Sequence, residues 1–184
     1  RISLGSTIPI DVQDIRLDAA ELAALTKLSA VTLKSDSTID LYGSVVLGSA
    51  SLGRLTLAAN GLLNARAASQ SSIEDARLFA GTITLSGTNG SVAPELSDLQ
   101  TRGSLLLSAS KNLVLSGGSF SILGYQNAAL QSGQRLSLAG GAHLRVGADL
   151  EIAAGRIVTT AGGLAAISGQ GDIALRSPAT AGSN

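Results

Sequence analysis

A short pattern, LxLxGG, returns at a fixed interval along this chain. The segment KNLVLSGGSFSI begins at Lys111, and its middle is reproduced in QRLSLAGGAHLRV from Gln134 and in GRIVTTAGGLAAI from Gly155. The paired glycines begin at positions 117, 140 and 162, so the steps are 23 and 22 residues. Repeats of this length are typical of chains that stack identical units rather than fold around one closed core. This repeat constrains the fold more than any other feature.

The repeat extends along most of the chain when segments of apolar-x-apolar pattern are aligned. The aligned segments begin at Thr38, Gly61, Thr82, Ser104, Asn127, Asp149 and Asp172, with steps of 23, 21, 22, 23, 22 and 23 residues. Many contain a polar residue between two apolar ones, as Asp40 lies between Ile39 and Leu41. Alternation with a period of two indicates a strand with one buried face.

Two further strands are predicted in each repeat, one just before the glycine pair and one just after it, as at 113–115 and 120–122. The glycines are expected at corners that require positive φ. Three short strands cannot bury their apolar faces alone, so each repeat must stack on the next. Parallel crossovers are almost always right-handed. The sequence therefore predicts an all-β fold, a right-handed parallel β-helix (β-solenoid) with about 22 residues and three short strands per coil.

The same alternation predicts which aliphatic side chains form the columns of the core. They are Leu105, Leu107, Leu113, Leu115, Leu136, Leu138, Leu150 and Ile152, and Leu136 should stack between Leu113 and Ile157. The chain has only two Tyr and two Phe and no Trp, so this core must be largely aliphatic.

Composition excludes several classes of protein. Thirteen basic residues balance thirteen acidic ones, which removes any general attraction to nucleic acid or an anionic membrane. The absence of Cys excludes disulfides and thiolate metal sites. There is no apolar run long enough to insert into a membrane. The chain starts at Arg1 and has no Met, so we interpret it as a monomeric fragment of a larger polypeptide.

The chain is predicted to be a single β-helical domain, with stacked coils over 31–176 and a tail at 177–184. The first 30 residues are less regular. Asp18 and Glu21 have capping-box spacing and predict a short helix over 19–28 that covers an edge. Alternatively, residues 15–17 form a strand one coil before Ile39. Polar stretches within 61–81 and 87–103 fit the repeat poorly and are predicted to be loops.

The repeats resemble the filamentous haemagglutinin-like exoproteins of Gram-negative bacteria, the large passengers of two-partner secretion. The resemblance lies in SKNLVLSGG, GQRLSLAGG, GRIVTTAGG and IDLYGSVVLG. It implies a right-handed β-helical rod that is exported through an outer-membrane secretion partner. It also implies a secreted or cell-surface location and a role in adhesion to a host receptor or glycan, or in contact-dependent delivery of a toxin.

The chain lacks other features of that family. It contains no NPNG-type motif of the secretion domain, no Arg-Gly-Asp and no segment that resembles a C-terminal toxin. It therefore resembles the shaft of such a rod.

Three acidic residues are predicted to share a patch of the surface. Asp149 and Glu151 flank the inward-facing Leu150, and Asp172 should stack on Asp149. Grouped carboxylates supply acid-base chemistry in β-helical polysaccharide hydrolases and lyases, which makes a carbohydrate-active enzyme the alternative function. A second interpretation is structural. The same column reads Thr82, Ser104, Asn127, Asp149 and Asp172, and short polar side chains bind backbone donors at turns.

A basic column is predicted at the start of the second strand. Arg135 and Arg156 occupy equivalent positions, with Asn112 in register and Lys111 one place away. Stacked cations could bind a sulfated glycan or another polyanion. The alternative is that these are solvated side chains that discourage edge pairing.

No cofactor is expected. His143 is the single histidine and has no second histidine or cysteine with which to bind a transition metal, so it should face solvent beside a corner. The glycine-aspartate nonapeptides of calcium-binding solenoids are absent, and GQGDIAL from Gly169 is only a single faint match.

Overall fold

A computed structural model describes residues 1–10, 14–65, 75–88, 101–160 and 164–178. In these ranges the chain is almost entirely β-strand. The elements in chain order are β1 (Ile2–Gly5), β2 (Ile15–Leu17), α1 (Ala19–Leu25), β3 (Ala30–Lys34), β4 (Thr38–Tyr42), β5 (Val45–Gly48), β6 (Arg54–Ala58), β7 (Gly61–Ala65), β8 (Ala76–Ser86), β9 (Ser104–Ser116), β10 (Ser119–Leu123), β11 (Asn127–Leu138), β12 (His143–Val146), β13 (Asp149–Thr159), β14 (Ala166–Gly169) and β15 (Ile173–Arg176).

The strands form two sheets in which every described pair is parallel. The first sheet has the order β14-β12-β10-β7-β4-β1-β2, and the second has the order β15-β13-β11-β9-β8-β6-β3, with β5 also paired to β8. From β9 onward the chain alternates between the two sheets, so each strand lies beside the equivalent strand of the next repeat. The prediction of an all-β fold with parallel pairing is confirmed.

The register of the second sheet follows the sequence repeat. Asn127 pairs with both Ser104 and Asp149, at separations of 23 residues (104 to 127) and 22 residues (127 to 149). Leu136 lies between Leu113 and Ile157, as predicted. Equivalent residues of consecutive repeats are therefore direct neighbours across the sheet.

Two of the strands predicted for each repeat are joined in the structure. The long strands β9, β11 and β13 contain 13, 12 and 11 residues and run through both predicted positions. The register of β11 against β13 shifts between Ser132 and Arg135, as at a β-bulge. A Cβ on Gly133 would lie 2.3 Å from the carbonyl oxygen of Ser110, so only glycine permits this close stacking. The third predicted strand of each repeat is found in the first sheet.

The alignment of the earlier repeats was wrong. Thr82 pairs with Arg54 and Asn112, not with Ser104. Ala76 occupies the position beside Leu105, so part of the stretch predicted to be loop is strand β8. The segments that begin at Thr38 and Gly61 pair with each other in the first sheet, where Gly61 also pairs with Ser121. Spacing misassigned these strands because an apolar-x-apolar segment has the same pattern in all three positions.

The core lies between the two sheets and is aliphatic, as predicted. Of the eight side chains predicted to be buried, seven are buried: Leu105, Leu107, Leu113, Leu115, Leu136, Leu150 and Ile152. The eighth, Leu138, is partly buried against the same cluster. Phe120, Tyr42 and Tyr125 are also buried.

The glycine corners are confirmed in part. Gly117, Gly118 and Gly141 have φ values of 56°, 66° and 76°, which disfavour any side chain. Gly140 does not have a positive φ. The third pair, at 162–163, lies outside the described residues.

The N-terminal segment contains both the helix and the strand that were predicted as alternatives, but the helix is shorter than predicted and the strand has a different neighbour. Asp18 Oδ1 accepts the N–H groups of Ala20 and Glu21, and the Glu21 carboxylate accepts the N–H of Asp18, which completes the predicted capping box of α1. Leu22 is buried where α1 lies against β5, β1 and β2. Strand β2 is not adjacent to Ile39, because β1 lies between β2 and β4.

Candidate functional site

A column of short polar residues runs across the second sheet at the starts of its strands. Its members are Asp75, Ser104, Asn127, Asp149 and Asp172, and we call it the polar ladder. It differs from the prediction at one position, since Asp75 stands where Thr82 was expected. The signal for Asp75 was present in the sequence, because DARL at 75 has the same pattern as DLEI at 149 and DIAL at 172.

Two carboxylates of the polar ladder bind backbone groups of the next repeat. Asp75 Oδ1 accepts a hydrogen bond of 2.9 Å from the N–H of Ser104. Asp149 Oδ1 accepts one of 3.0 Å from the N–H of Asp172. A side chain that satisfies a turn donor in the neighbouring repeat fixes the register of the two. These contacts favour the structural interpretation of the column.

The three predicted acidic residues lie on one surface. Asp149, Glu151 and Asp172 line a groove of about 570 Å³ that also contains Arg77 and Asn127. Glu151 Oε2 is 3.1 Å from Arg176 Nε, so this carboxylate is already ion-paired. None of the described residues that line the groove is aromatic. The groove therefore offers carboxylates but no ring on which a sugar could stack.

The basic column is placed as predicted. Arg156 and Asn112 both pair with Arg135, and Lys111 precedes Asn112. Arg156 and Lys111 are exposed, whereas Arg135 is partly buried and its Nε donates a 3.2 Å hydrogen bond to Asn112 Oδ1. Arg54 belongs to the same column, three strands from Arg135, with Asn112 and Thr82 between them. The sequence did not place Arg54 there because its alignment put Thr82 in the wrong column.

His143 lies at the start of β12 and is partly exposed. Its Nε2 is 3.2 Å from Ser168 Oγ, in the next strand of the first sheet. Within the described ranges no cluster of three or more His, Cys, Asp or Glu side chains could hold a metal ion. Nor is any described helix both long and apolar enough to cross a membrane.

The sequence analysis did not predict that the carboxylate of Asp40 is buried. Asp40 is only 1% exposed, although alternation placed it on the solvent face of β4. The Thr38 hydroxyl donates to Asp40 Oδ1, and the Arg1 guanidinium lies 3.6 Å from Asp40 Oδ2. Burial raises the pKa of Asp40 despite these two favourable contacts. No local signal could reveal this burial, because the cover over a strand comes from elsewhere in the chain.

Comparison with known proteins identifies no relative: no family model, no curated protein and no solved structure matches this chain.

Proposed function

We propose that this chain is a segment of a right-handed parallel β-solenoid that serves as the rod of a secreted or surface-held bacterial exoprotein of the filamentous haemagglutinin-like kind. The observation that carries this proposal is the continuous parallel pairing from β9 through β11 and β13 to β15, which is interrupted only by the register shift between Ser132 and Arg135. Each repeat contributes one strand to this sheet, so adding repeats lengthens the stack without changing its cross-section.

The contacts between repeats suit a mechanical role. Aliphatic columns and backbone ladders hold each repeat to its neighbours, and the polar ladder fixes their register. Stability is then a sum of similar interfaces along an axis, and each coil extends the rod by about 4.8 Å. Such a rod displays a distant part of its parent protein, in attachment to a host or another cell or as the stalk for toxin delivery. Its export would require an outer-membrane partner, as the sequence resemblance implies.

A carbohydrate-active enzyme is the second candidate. The observation that favours it is the groove that brings Asp149, Glu151 and Asp172 together. Two contacts weigh against it, since Asp149 accepts a backbone N–H and Glu151 is paired with Arg176. Among the described residues, none that lines the groove is aromatic. We therefore favour the rod.

Insertion of whole coils tests the proposal. Residues 127–148 span one repeat, so three additional copies inserted after position 148 should each add a coil. The maximum dimension from small-angle X-ray scattering should rise by about 14 Å, with unchanged β-content by circular dichroism.

A matched control inserts three copies of 127–137 at the equivalent place, after position 137. Each copy supplies half a repeat, and it should break the stack because inward-facing residues would meet the wrong strand. Whole-coil insertions that unfold the protein, or that leave its length unchanged, would refute the solenoid.

A further inference from the structure

Four hydrogen-bonding side chains form a patch on the outer face of the first sheet. His143 and Arg145 lie two residues apart on β12, and Leu144 between them is buried in the core, so both side chains point away from the core. Ser119 on β10 pairs with His143, and Ser168 on β14 pairs with Arg145. All four are exposed or partly exposed, and we call them the donor patch.

The donor patch brings three different donor groups together. His143 Nε2 lies 3.2 Å from Ser168 Oγ, so the imidazole leans along the sheet towards the column that contains Arg145. Paired residues on neighbouring strands are about 4.8 Å apart, which places the side chains of Arg145 and Ser168 side by side. A guanidinium, a hydroxyl and an imidazole therefore lie within reach of one small ligand.

The charge of the donor patch is entirely positive. Arg145 carries a permanent charge, and His143 adds a second one when its ring is protonated. None of the three strands β10, β12 and β14 contains an Asp or a Glu. Neither ion pair of the described residues involves Arg145. The polar ladder presents carboxylate acceptors, whereas this patch presents donors, so a complementary ligand supplies negative charge and acceptor oxygens.

We propose that the donor patch binds a dianionic phosphate group. The guanidinium of Arg145 donates to two of its oxygens, in the bidentate geometry that suits a phosphate. Protonated His143 donates through Nε2 to Ser168 Oγ, and the hydroxyl proton of Ser168 then points to a third phosphate oxygen. The charge of the imidazolium adds to the attraction.

This site goes beyond the rod and does not depend on it. The donor patch lies on the side of the stack, because its side chains project from the face of the sheet and not from the free edge of β14. A free phosphate ion and the phosphate group of a monoester present the same oxygens, so both are ligands of the same chemistry.

The test titrates the ¹⁵N-labelled chain with phenyl phosphate at pH 6.5. At this pH a phosphate monoester carries most of its second charge and imidazoles are partly protonated. We expect saturable shifts of the amide signals of Arg145 and Ser168. Arg145→Gln and Ser168→Ala should each weaken binding by at least about fivefold, because each removes a donor to a charged oxygen. Lys34→Gln is the control, since it removes an exposed charge elsewhere and should leave the affinity unchanged.

Two further ligands identify the group that is bound. Phenyl sulfate has the same shape but a single charge, and it should bind more weakly than phenyl phosphate. Inorganic phosphate distinguishes the sources: equal affinity assigns the site to the phosphate group itself, whether free or esterified, and selective binding of one of the two ligands assigns it to that source.

A pH series tests the role of His143. Ser119 on β10, Ser168 on β14 and Arg145 on its own strand are the polar or charged side chains of the described residues that neighbour it on this face. Raising the pH from 6.5 to 8 should weaken phenyl phosphate binding, because the imidazole loses its proton while the ligand becomes no less charged. His143→Gln should bind weakly at pH 6.5 and lose no further affinity at pH 8.

Three results would overturn the inference. They are the absence of saturable shifts, an equal loss of affinity in Lys34→Gln and Arg145→Gln, and phenyl sulfate binding as tightly as phenyl phosphate. Because the three substituted side chains of the patch lie outside the core, the variants are expected to remain folded, and unchanged amide spectra away from β12 and β14 verify this.

Discussion

Asp149 binds the backbone of Asp172 through a hydrogen bond of 3.0 Å, and so joins one repeat to the next by a side chain as well as by the sheet. The same contact recurs between Asp75 and Ser104. Its recurrence at both positions shows that an aspartate at the start of a strand holds the following repeat in register.

The first prediction concerns this contact. Asp149→Ala should lower the free energy of unfolding by about 1 kcal/mol, because it leaves the N–H of Asp172 without its acceptor. Asp149→Asn retains an acceptor oxygen and should cost less. Asn127→Ala is the matched control, since Asn127 lies in the same ladder without a side-chain hydrogen bond to the described residues, and it should change stability by less than about 0.5 kcal/mol. Chemical denaturation measures all three, and equal losses for Asp149→Ala and Asn127→Ala would contradict the prediction.

The second prediction compares adjacent residues on opposite faces of β11. Leu136 is buried between Leu113 and Ile157, whereas Ser137 is partly exposed on the other face. Leu136→Asp should destabilise by about 4 kcal/mol, because it places an unpaired charge in an aliphatic column. Ser137→Asp should cost less than about 0.5 kcal/mol. Thermal melts of the two variants measure the difference. Similar decreases in melting temperature would show that the buried and exposed faces were assigned wrongly.

The third prediction is a pH dependence from Asp40. Its ordinary pKa is 3.8, and burial raises the pKa in the folded state, with Arg1, the N-terminal ammonium and Asp14 nearby. As the pH rises from 3.8, Asp40 loses its proton in the unfolded chain before it does so in the folded chain. The free energy of unfolding therefore falls, relative to that of a variant with an untitratable side chain, until the carboxyl is also ionised in the folded chain. The stability of the wild type relative to Asp40→Asn should therefore decrease with rising pH over this window and then become constant.

Urea unfolding at a series of pH values measures this difference for Asp40→Asn. The same substitution at the exposed Asp36 is the control for removing a carboxylate that is not buried. If the stability of the wild type relative to Asp40→Asn instead increases with rising pH, then Arg1 and Thr38, and not burial, determine the direction of the pKa shift of Asp40.

The fourth prediction addresses the basic column. We expect the double variant Arg135→Ser, Arg156→Ser to keep its fold and to elute from a heparin matrix at the same salt concentration as the wild type. Arg135 is held by Asn112, and the net charge of zero supplies no general attraction.

The control for that measurement removes two charges elsewhere, with Lys27→Ser and Lys34→Ser, both at exposed positions. Earlier elution of the arginine variant, but not of the lysine control, would instead assign polyanion binding to the column.

The fifth prediction is that the chain does not cleave neutral or acidic polysaccharides. In the groove, Asp149 accepts a backbone N–H and Glu151 is paired with Arg176, and none of the described residues that line it is aromatic. Reducing-end release from a panel of polysaccharides provides the measurement. Turnover that Glu151→Gln abolishes would replace the rod proposal with the enzyme.

Much of the fold and part of the candidate site could be read from the sequence. Alternation with a period of two determined the inward faces of β9, β11 and β13, and the repeat length determined that Leu136 stacks on Leu113. Arg135 and Arg156 were placed in one column for the same reason. These are properties of local pattern, because the side-chain direction in a strand depends only on position and the register depends only on the length of the repeat.

Tertiary structure alone decided which column each early strand joins and what covers its outer face. Ser104 follows Asp75 by 29 residues (75 to 104), more than one regular repeat, so spacing could not bring these two residues together. The strand that contains Thr82 has the same alternation as its neighbours, and only its hydrogen-bonded partners show that it stacks on Asn112. Asp40 is buried by contacts from outside its own strand. Periodicity specifies which side chains of a strand face inward. The neighbours of that strand and the burial of its outer face depend on the path of the chain between strands.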